Sequence, residues 1–340
     1  MEKQKVFENC LDVLALNILG LLLEYKRMKI NEIYKIVKEV EVYKNLSEKD
    51  FKDLIKFLAS HKLIFLDGDL IKISKKGLKV YFDNLSLIPD TKQYAIIDIT
   101  ENKKIGTLDE SFVKTELEIG SNILIKGEIW EVLNIDEEKI EVCPSKKREA
   151  IIPYWEGELL PVAFEIAKEM KYEKKIEVFP FDDKFCYVLI FPFGNKVNLT
   201  IQLALYALIG SRIEKFFIKS DAYRIFIFLP FRNDELILNS LNSLSEENIE
   251  EIIKISLKNT KLFEYKFLHV AKRFGIIKKD SKITKSILKI LIENYKNDVI
   301  GKETVNEIIQ EKLDLENAKK VLNEIKNLKI EFRNKPSKIA

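Results

Sequence analysis

The sequence holds only two histidines, His61 and His269, so a multi-histidine metal site is excluded. Its cysteines, Cys10, Cys143 and Cys186, are odd in number and far apart, which fits neither a disulfide framework nor a CxxC zinc or redox site. A reducing cytoplasm is therefore the expected compartment. Eleven glycines and eight prolines in 340 residues leave no room for collagen-like or linker-like tracts. The longest apolar run, Val13 to Leu23, is broken by Asn17 and falls short of the ~20 residues that cross a bilayer. The start, Met1-Glu2-Lys3-Gln4-Lys5 followed by Glu8 and Asp12, lacks a charged-then-apolar signal pattern, and no membrane partner is expected. Charge of one sign is also missing: 57 Lys and Arg face 54 Asp and Glu, a formal net charge of +3, so no global field selects a polyanion.

What is present is a chain long enough for two or three domains at roughly 150 residues each, with 46% hydrophobic residues to fill their cores. Residues 1–88 read as three helices and a hairpin. The first helix, Val6 to Met28, is apolar nearly all round and belongs deep in a core. Ile30 to Val40 follows, then a helix capped by Ser47 with Asp50 three residues on. Two apolar runs around Asp67-Gly68 make the hairpin, and the whole describes a winged helix. Residues 89–150 carry short strands at close spacing, a small β-barrel or curled sheet. Residues 151–340 are mixed α/β, ending in helices and a last short strand at Leu328 to Phe332. The fold class expected is α+β with several domains.

The chemistry of small-molecule catalysis is hard to find. Gly194-Asn195-Lys196 and Gly301-Lys302 lack the spacing of a phosphate-cradling loop. Asp109-Glu110-Ser111-Phe112 reads as a solvated loop, and Glu156, Glu158, Asp182 and Asp183 as surface charge. His269, beside Lys272 and Arg273, is expected to touch phosphate or face solvent rather than act as a base. No catalytic or metal-binding residue is assigned. Local charge says more than the total: between Lys258 and Lys285, nine basic residues stand against two acidic ones, interleaved with Phe263, Tyr265, Phe267 and Phe274. Either this is a phosphate-contacting face, or a solvated helix face with its aromatics in the core. Lys75 and Lys76, with Lys79, follow the wing and form a second small basic cluster. Trp130 reads as core. Trp155, between domains, either plugs an interface or stacks on a base for roughly 1 to 3 kcal/mol.

Several stretches resemble one family in collinear order. Pro153-Tyr154-Trp155-Glu156-Gly157-Glu158 with Pro161 is similar to the segment joining barrel and last core domain in the large helicase-related (Lhr) family of superfamily 2 helicases. Leu11 to Ala15 resembles the start of its winged helix; Ile105 to Glu110 with Phe112, and Gly127 with Trp130, resemble its barrel strands. Phe191-Pro192-Phe193-Gly194, and Leu262-Phe263 with Lys266-Phe267 and Ala271, resemble its helicase-associated terminal domain. The sequence departs from the family pattern at Leu268, where arginine is common, and lacks the tryptophan and arginine expected near Ile283 to Leu288.

The resemblance implies the non-motor half of an ATP-dependent 3′–5′ DNA helicase of DNA repair, as in a split gene whose RecA-like motor is another polypeptide. ATP and Mg2+ would sit on that motor, and this chain would hold single-stranded DNA or an RNA:DNA hybrid. Trp155, Lys266, Lys272, Arg273, Lys75 and Lys76 are the expected nucleic-acid contacts. The alternative is a winged-helix regulator of duplex DNA with no motor.

Overall fold

The computed structural model describes residues 6–335 except 90, 148, 149, 152, 154–160 and 282. The chain opens with α1 (Leu11–Tyr25), β1 (Arg27–Lys29), α2 (Ile30–Glu39), α3 (Glu48–Ser60), β2 (Ile64–Asp67), β3 (Leu70–Ile73) and α4 (Lys75–Asp83). α1 buries Leu11, Leu14, Ala15, Ile18, Leu19 and Leu22, as its nearly continuous apolar surface requires. Ser47 caps α3 by accepting from the Asp50 N–H at 3.0 Å. The hairpin register pairs Asp67 with Leu70, so Gly68 and Asp69 form the two-residue loop. Gly68, at φ +63°, takes the first loop position, which a type II′ turn reserves for glycine. Two elements escape the hydrophobic pattern. β1 is only three residues long and gains its place by pairing with β3 in the order β1-β3-β2. α4 is announced by a cap, since Ser74 accepts from the Gly77 N–H at 2.9 Å.

The second module contains β4 (Gln93–Asp98), β5 (Lys103–Asp109), α5 (Glu110–Glu116), β6 (Asn122–Ile125), β7 (Glu128–Ile135) and β8 (Lys139–Pro144). Its strands run β5-β4-β8-β7-β6, with β4 and β8 parallel and bulges at Ile96/Ile97 and Val132/Asn134. Bulges bend and twist the strands that carry them, and the sheet curls into a half-barrel. α5 fills its open side with Phe112 and Val113, so Asp109 to Phe112 is a strand end and a helix start rather than a solvated loop. This module keeps its own core, with Tyr94, Leu108, Ile123, Trp130 and Val142 among its members.

The third part begins with α6 (Phe164–Glu169), β9 (Lys175–Phe181), β10 (Lys184–Ile190), α7 (Asn195–Gly210), β11 (Phe217–Ser220) and β12 (Arg224–Leu229). Helices α8 (Asp234–Asn242), α9 (Ile249–Leu257), α10 (Lys261–Arg273), α11 (Lys285–Tyr295), α12 (Val299–Lys312) and α13 (Leu315–Val321) follow, before β13 (Ile330–Phe332) returns to the sheet. The strand order is β11-β12-β10-β9-β13, with β13 parallel to β9. One continuous core joins this domain to the winged helix, running from Leu14 and Leu54 through Phe57 to Phe263, Phe274 and Ile308. Phe57 and Phe274 meet with ring centroids 5.3 Å apart. Gly275, at φ +67°, ends α10 so close to α4 that an added Cβ would lie 2.3 Å from a Val80 methyl. The barrel therefore keeps a core of its own, while winged helix and terminal domain share one.

Candidate nucleic-acid interface

The basic segment from Lys258 to Lys285 forms α10 and the turn after it, and its charges have separate fates. Lys266 lies between Glu307, at 3.0 Å, and Glu311 on α12, with its side chain only 12% exposed. Arg273 pairs with Asp12 of α1 at 2.6 Å and with Glu307, and its side chain is 11% exposed. The sequence places both at phosphates; in the fold their charge is spent inside the chain, tying α10 to α12 and α1. The physical reason is distant in sequence: three carboxyls from α1 and α12 converge on two cations. Lys261 pairs with Glu118 beyond the end of α5 at 2.7 Å, which ties α10 to the barrel module. The aromatics Phe263, Tyr265, Phe267 and Phe274 are all buried, so they pack the core and offer no ring to a base.

Burial governs the protonation of this junction. Glu303 accepts from the Leu11 N–H at 2.7 Å and so caps α1 from another domain. Desolvation, and then the neighbouring charges of Asp12 and Glu307, push its carboxyl well above the usual range. Asp12 is also raised by desolvation, against the pull of Arg273. The Cys10 thiol is pushed up to about 12 by burial and by Glu303, Asp12 and Glu307. Such a thiol is inert rather than nucleophilic. His269 is 7% exposed, and burial together with Lys272, Arg273 and Lys266 lowers it to about 4. It is therefore a neutral core residue, and neither touches solvent nor meets phosphate as a cation.

The remaining cations cluster differently. Lys75 and Lys76 occupy the first turn of α4, exposed, with Lys79 one turn on. Cations there oppose the helix dipole, so helix stability does not explain them. Lys76 donates to the His61 carbonyl at 3.1 Å, and His61 in turn meets the Tyr295 hydroxyl at 3.1 Å. With Val80 against Gly275, these contacts bring the first half of α4 to the same junction as the turn after α10. Lys272 is half-buried and Lys278 exposed, and neither has a carboxylate partner among the described residues. The candidate contact set is thus Lys75, Lys76, Lys79, Lys272 and Lys278. Lys79 and Lys278 are visible as cluster members in the sequence, whereas the pairing that removes Lys266 and Arg273 is not. Trp155, Glu156 and Glu158 lie outside the described residues.

Nothing in this arrangement resembles a nucleotide site. Gly194, which precedes α7, has the Val162 carbonyl oxygen 2.6 Å from where a Cβ would be, so backbone rather than phosphate fills that space. Among the described residues, no cluster of three or more His, Cys, Asp or Glu could hold a metal ion, and no helix is long and apolar enough to cross a membrane.

Residues 1–152 match the family described as large helicase-related protein, winged helix domain, and residues 174–340 match the DEAD/H associated family. The chain is 26% identical to ATP-dependent helicase Lhr-Core protein 2 of Thermococcus barophilus, covering 98% of this chain and 47% of the relative. It is likewise 26% identical to ATP-dependent helicase Lhr-Core of Methanocaldococcus jannaschii, covering 97% and 46%. The chain thus spans about half the length of the relatives it matches. Its fold superposes on Mycobacterium smegmatis helicase Lhr, solved bound to ssDNA and AMP-PNP, with a TM-score of 0.63 at 15% identity over 98% of this chain and 47% of that one. With two family matches, over residues 1–152 and 174–340, and relatives aligned along 97–98% of its length, the chain belongs to the large helicase-related (Lhr) family and corresponds to about half the length of its Lhr-Core relatives.

Proposed function

We propose that this chain is the nucleic-acid-holding, accessory part of an ATP-dependent 3′–5′ helicase acting in DNA repair. RecA-like motor domains outside residues 1–340 would supply the stepping. The observation that carries the reading is the collinear match of 98% of the chain to half of an Lhr-Core helicase. ATP and Mg2+ belong to the motor in this reading, since no phosphate loop is present in the chain. Single-stranded DNA, or the single strand at an RNA:DNA hybrid, would run along the junction marked by Lys75, Lys76, Lys79, Lys272 and Lys278. Trp155 is the proposed stacking or coupling residue. The part played by this chain is positional: it holds the strand so that each motor step advances it.

The winged helix itself favours this over binding to a duplex. Its third helix carries Lys49, Lys52 and Lys56 against Glu48, Asp50 and Asp53, with no net charge to meet a major groove. Asp50 and Lys56 also line a cleft shared with Asn297 and Lys302 at the start of α12, so this face is partly covered by the chain's own terminal domain. The test is affinity purification of the tagged chain from its source cells, followed by mass spectrometry and a strand-displacement assay on a 3′-tailed duplex. A RecA-like polypeptide in the eluate, ATP-dependent unwinding by the eluate and no ATP hydrolysis by the pure chain are expected. Mg2+-dependent ATP hydrolysis by the pure chain, or an eluate with no motor and no unwinding, would overturn the reading.

A further inference from the structure

The small sheet of the winged helix turns one face to solvent, and the residues on that face are not the ones that folding alone would choose. Cross-strand register sets Arg27 of β1 opposite Lys72 of β3, and Lys72 opposite Phe65 of β2. The next row toward the hairpin tip holds Lys29, Leu70 and Asp67. Ile64 and Ile71 on the alternate positions enter the core, so the period of two directs the first set outward. Arg27, Lys29, Phe65, Asp67 and Lys72 are all exposed accordingly.

Two features of this face work against the fold. Like charges directly opposite one another destabilise a strand pair, yet Arg27 and Lys72 are so placed. Neither of them, nor Lys29, has a carboxylate partner among the described residues, and Asp67 lies at the hairpin tip, one row away from the pair. Phe65 keeps 53% of its surface exposed, although the Lys72 ammonium lies 5.5 Å from its ring centroid. A threonine would serve a solvent-facing strand position as well without exposing a ring.

One ligand chemistry answers both. An anion between Arg27 and Lys72 relieves their repulsion, and a flat π surface covers the ring beside them. A nucleotide of an unpaired strand supplies the two together, whereas a base inside a duplex is stacked on both faces already. The position of the face agrees with this. Lys72 stands three residues before Lys75, so at most about 11 Å of chain separates it from the first turn of α4, and one extended strand can meet both.

We propose that the outward side of β1, β3 and β2 is a single-strand platform, on which an unpaired base stacks against Phe65 while Arg27, Lys72 and Lys29 meet the phosphates beside it. The inference rests on the single-strand reading above and adds a site to it. Every base has a π-face, so the platform takes any base and reads no sequence.

The test uses the full chain with a dT 12-mer and a 12-mer of abasic sugars, read by fluorescence anisotropy and by lysine acetylation with mass spectrometry. The dT 12-mer is expected to protect Lys29 and Lys72 from acetylation and to leave Lys49, exposed on α3, reactive. Phe65→Thr should weaken dT 12-mer binding about fivefold or more and change abasic binding little. Arg27→Gln with Lys72→Gln should weaken both ligands and lower the slope of log affinity against log salt by about 0.7 for each phosphate no longer neutralised. The same double variant removes a like-charge pair and should melt no earlier than the wild type, an opposition of stability and binding that a purely structural role would not produce. A wild-type chain that binds the dT 12-mer with Lys29 and Lys72 unprotected, and with an affinity that these variants leave unchanged, overturns the platform and leaves the single-strand reading standing. A wild-type chain that binds neither 12-mer overturns both. Equal weakening of the two 12-mers by Phe65→Thr overturns base stacking, and equal protection of Lys29 and Lys72 by a blunt 12-base-pair duplex overturns the assignment of this face to single strands.

Discussion

Replacing Arg273 with methionine separates the two roles that a cation on α10 could have. The guanidinium is 11% exposed and lies against Asp12 and Glu307, which are 5% and 13% exposed. Removing one partner of a buried ion pair costs about 3–5 kcal/mol, because the other charge is left without compensation. Glu307 retains Lys266 at 3.0 Å, and Asp12 retains the Val13 N–H at 2.7 Å, so the loss should fall near the lower end, about 3 kcal/mol. At roughly 2–4 °C per kcal/mol for large domains, the core shared by winged helix and terminal domain should melt about 6–12 °C earlier. Differential scanning calorimetry reads this directly. A cycle of Arg273→Met and Glu307→Gln should show coupling of about 0.5–3 kcal/mol, since the two groups touch. Lys272→Met, one residue away and half-buried without a carboxylate partner among the described residues, should change stability by no more than about 0.5 kcal/mol and should weaken single-strand binding instead. If Arg273→Met melted like the wild type and lost single-strand affinity, the ion-pair account would be refuted and Arg273 would be a phosphate contact.

Further expectations concern neighbouring parts of the same junction. Glu303, ordinarily near 4.5, is raised in the fold, so its neutral form is the favoured one; the stability it confers is complete below about 4.5 and is lost as pH rises through the folded value. Glu303→Gln keeps an acceptor for the Leu11 N–H, so urea melts should show the variant gaining on the wild type as pH rises from about 4.5 to the folded value, and a pH-independent difference would contradict it. Gly275→Ala combines a positive φ with a Cβ placed 2.3 Å from Val80, and should destabilise by more than the ~1 kcal/mol of an ordinary glycine replacement. Urea melts compared with Val80→Ala/Gly275→Ala would show partial recovery, and equal losses would mean that backbone strain alone is responsible. Charge reversal at Lys75 and Lys76 should lower the slope of log affinity against log salt by about 0.7 for each phosphate no longer neutralised, and an unchanged slope would make the cluster a solvated helix turn.

The sequence made the architecture readable wherever local signals were strong. The Ser47 cap, the Asp67-Gly68 hairpin signal and the apolar stripe of α1 placed the winged helix, and the spacing of short strands placed the half-barrel. It hid elements whose stability is tertiary. β1 exists because β3 is beside it, and α5 because the curled sheet needs a plug for its open side. The same distinction applies to the site. The exposure of Lys75 and Lys76 could be read from the sequence because it follows from a short polar run. The pairing of Lys266 and Arg273 could not, because their partners Glu307 and Glu311 lie 34 to 45 residues downstream. Asp12 did carry a trace: a charge within an otherwise apolar helix must be paired or exposed, and here it is paired.

The central claim, that this chain holds single strands for a helicase, is tested most directly by fluorescence anisotropy with a labelled 20-nucleotide dT strand against a blunt 20-base-pair duplex at several salt concentrations. The account predicts tighter binding of the single strand at every salt concentration, with a salt slope that falls when Lys272 and Lys278 are reversed in charge. Tighter binding of the duplex, or no binding of the single strand, would contradict it.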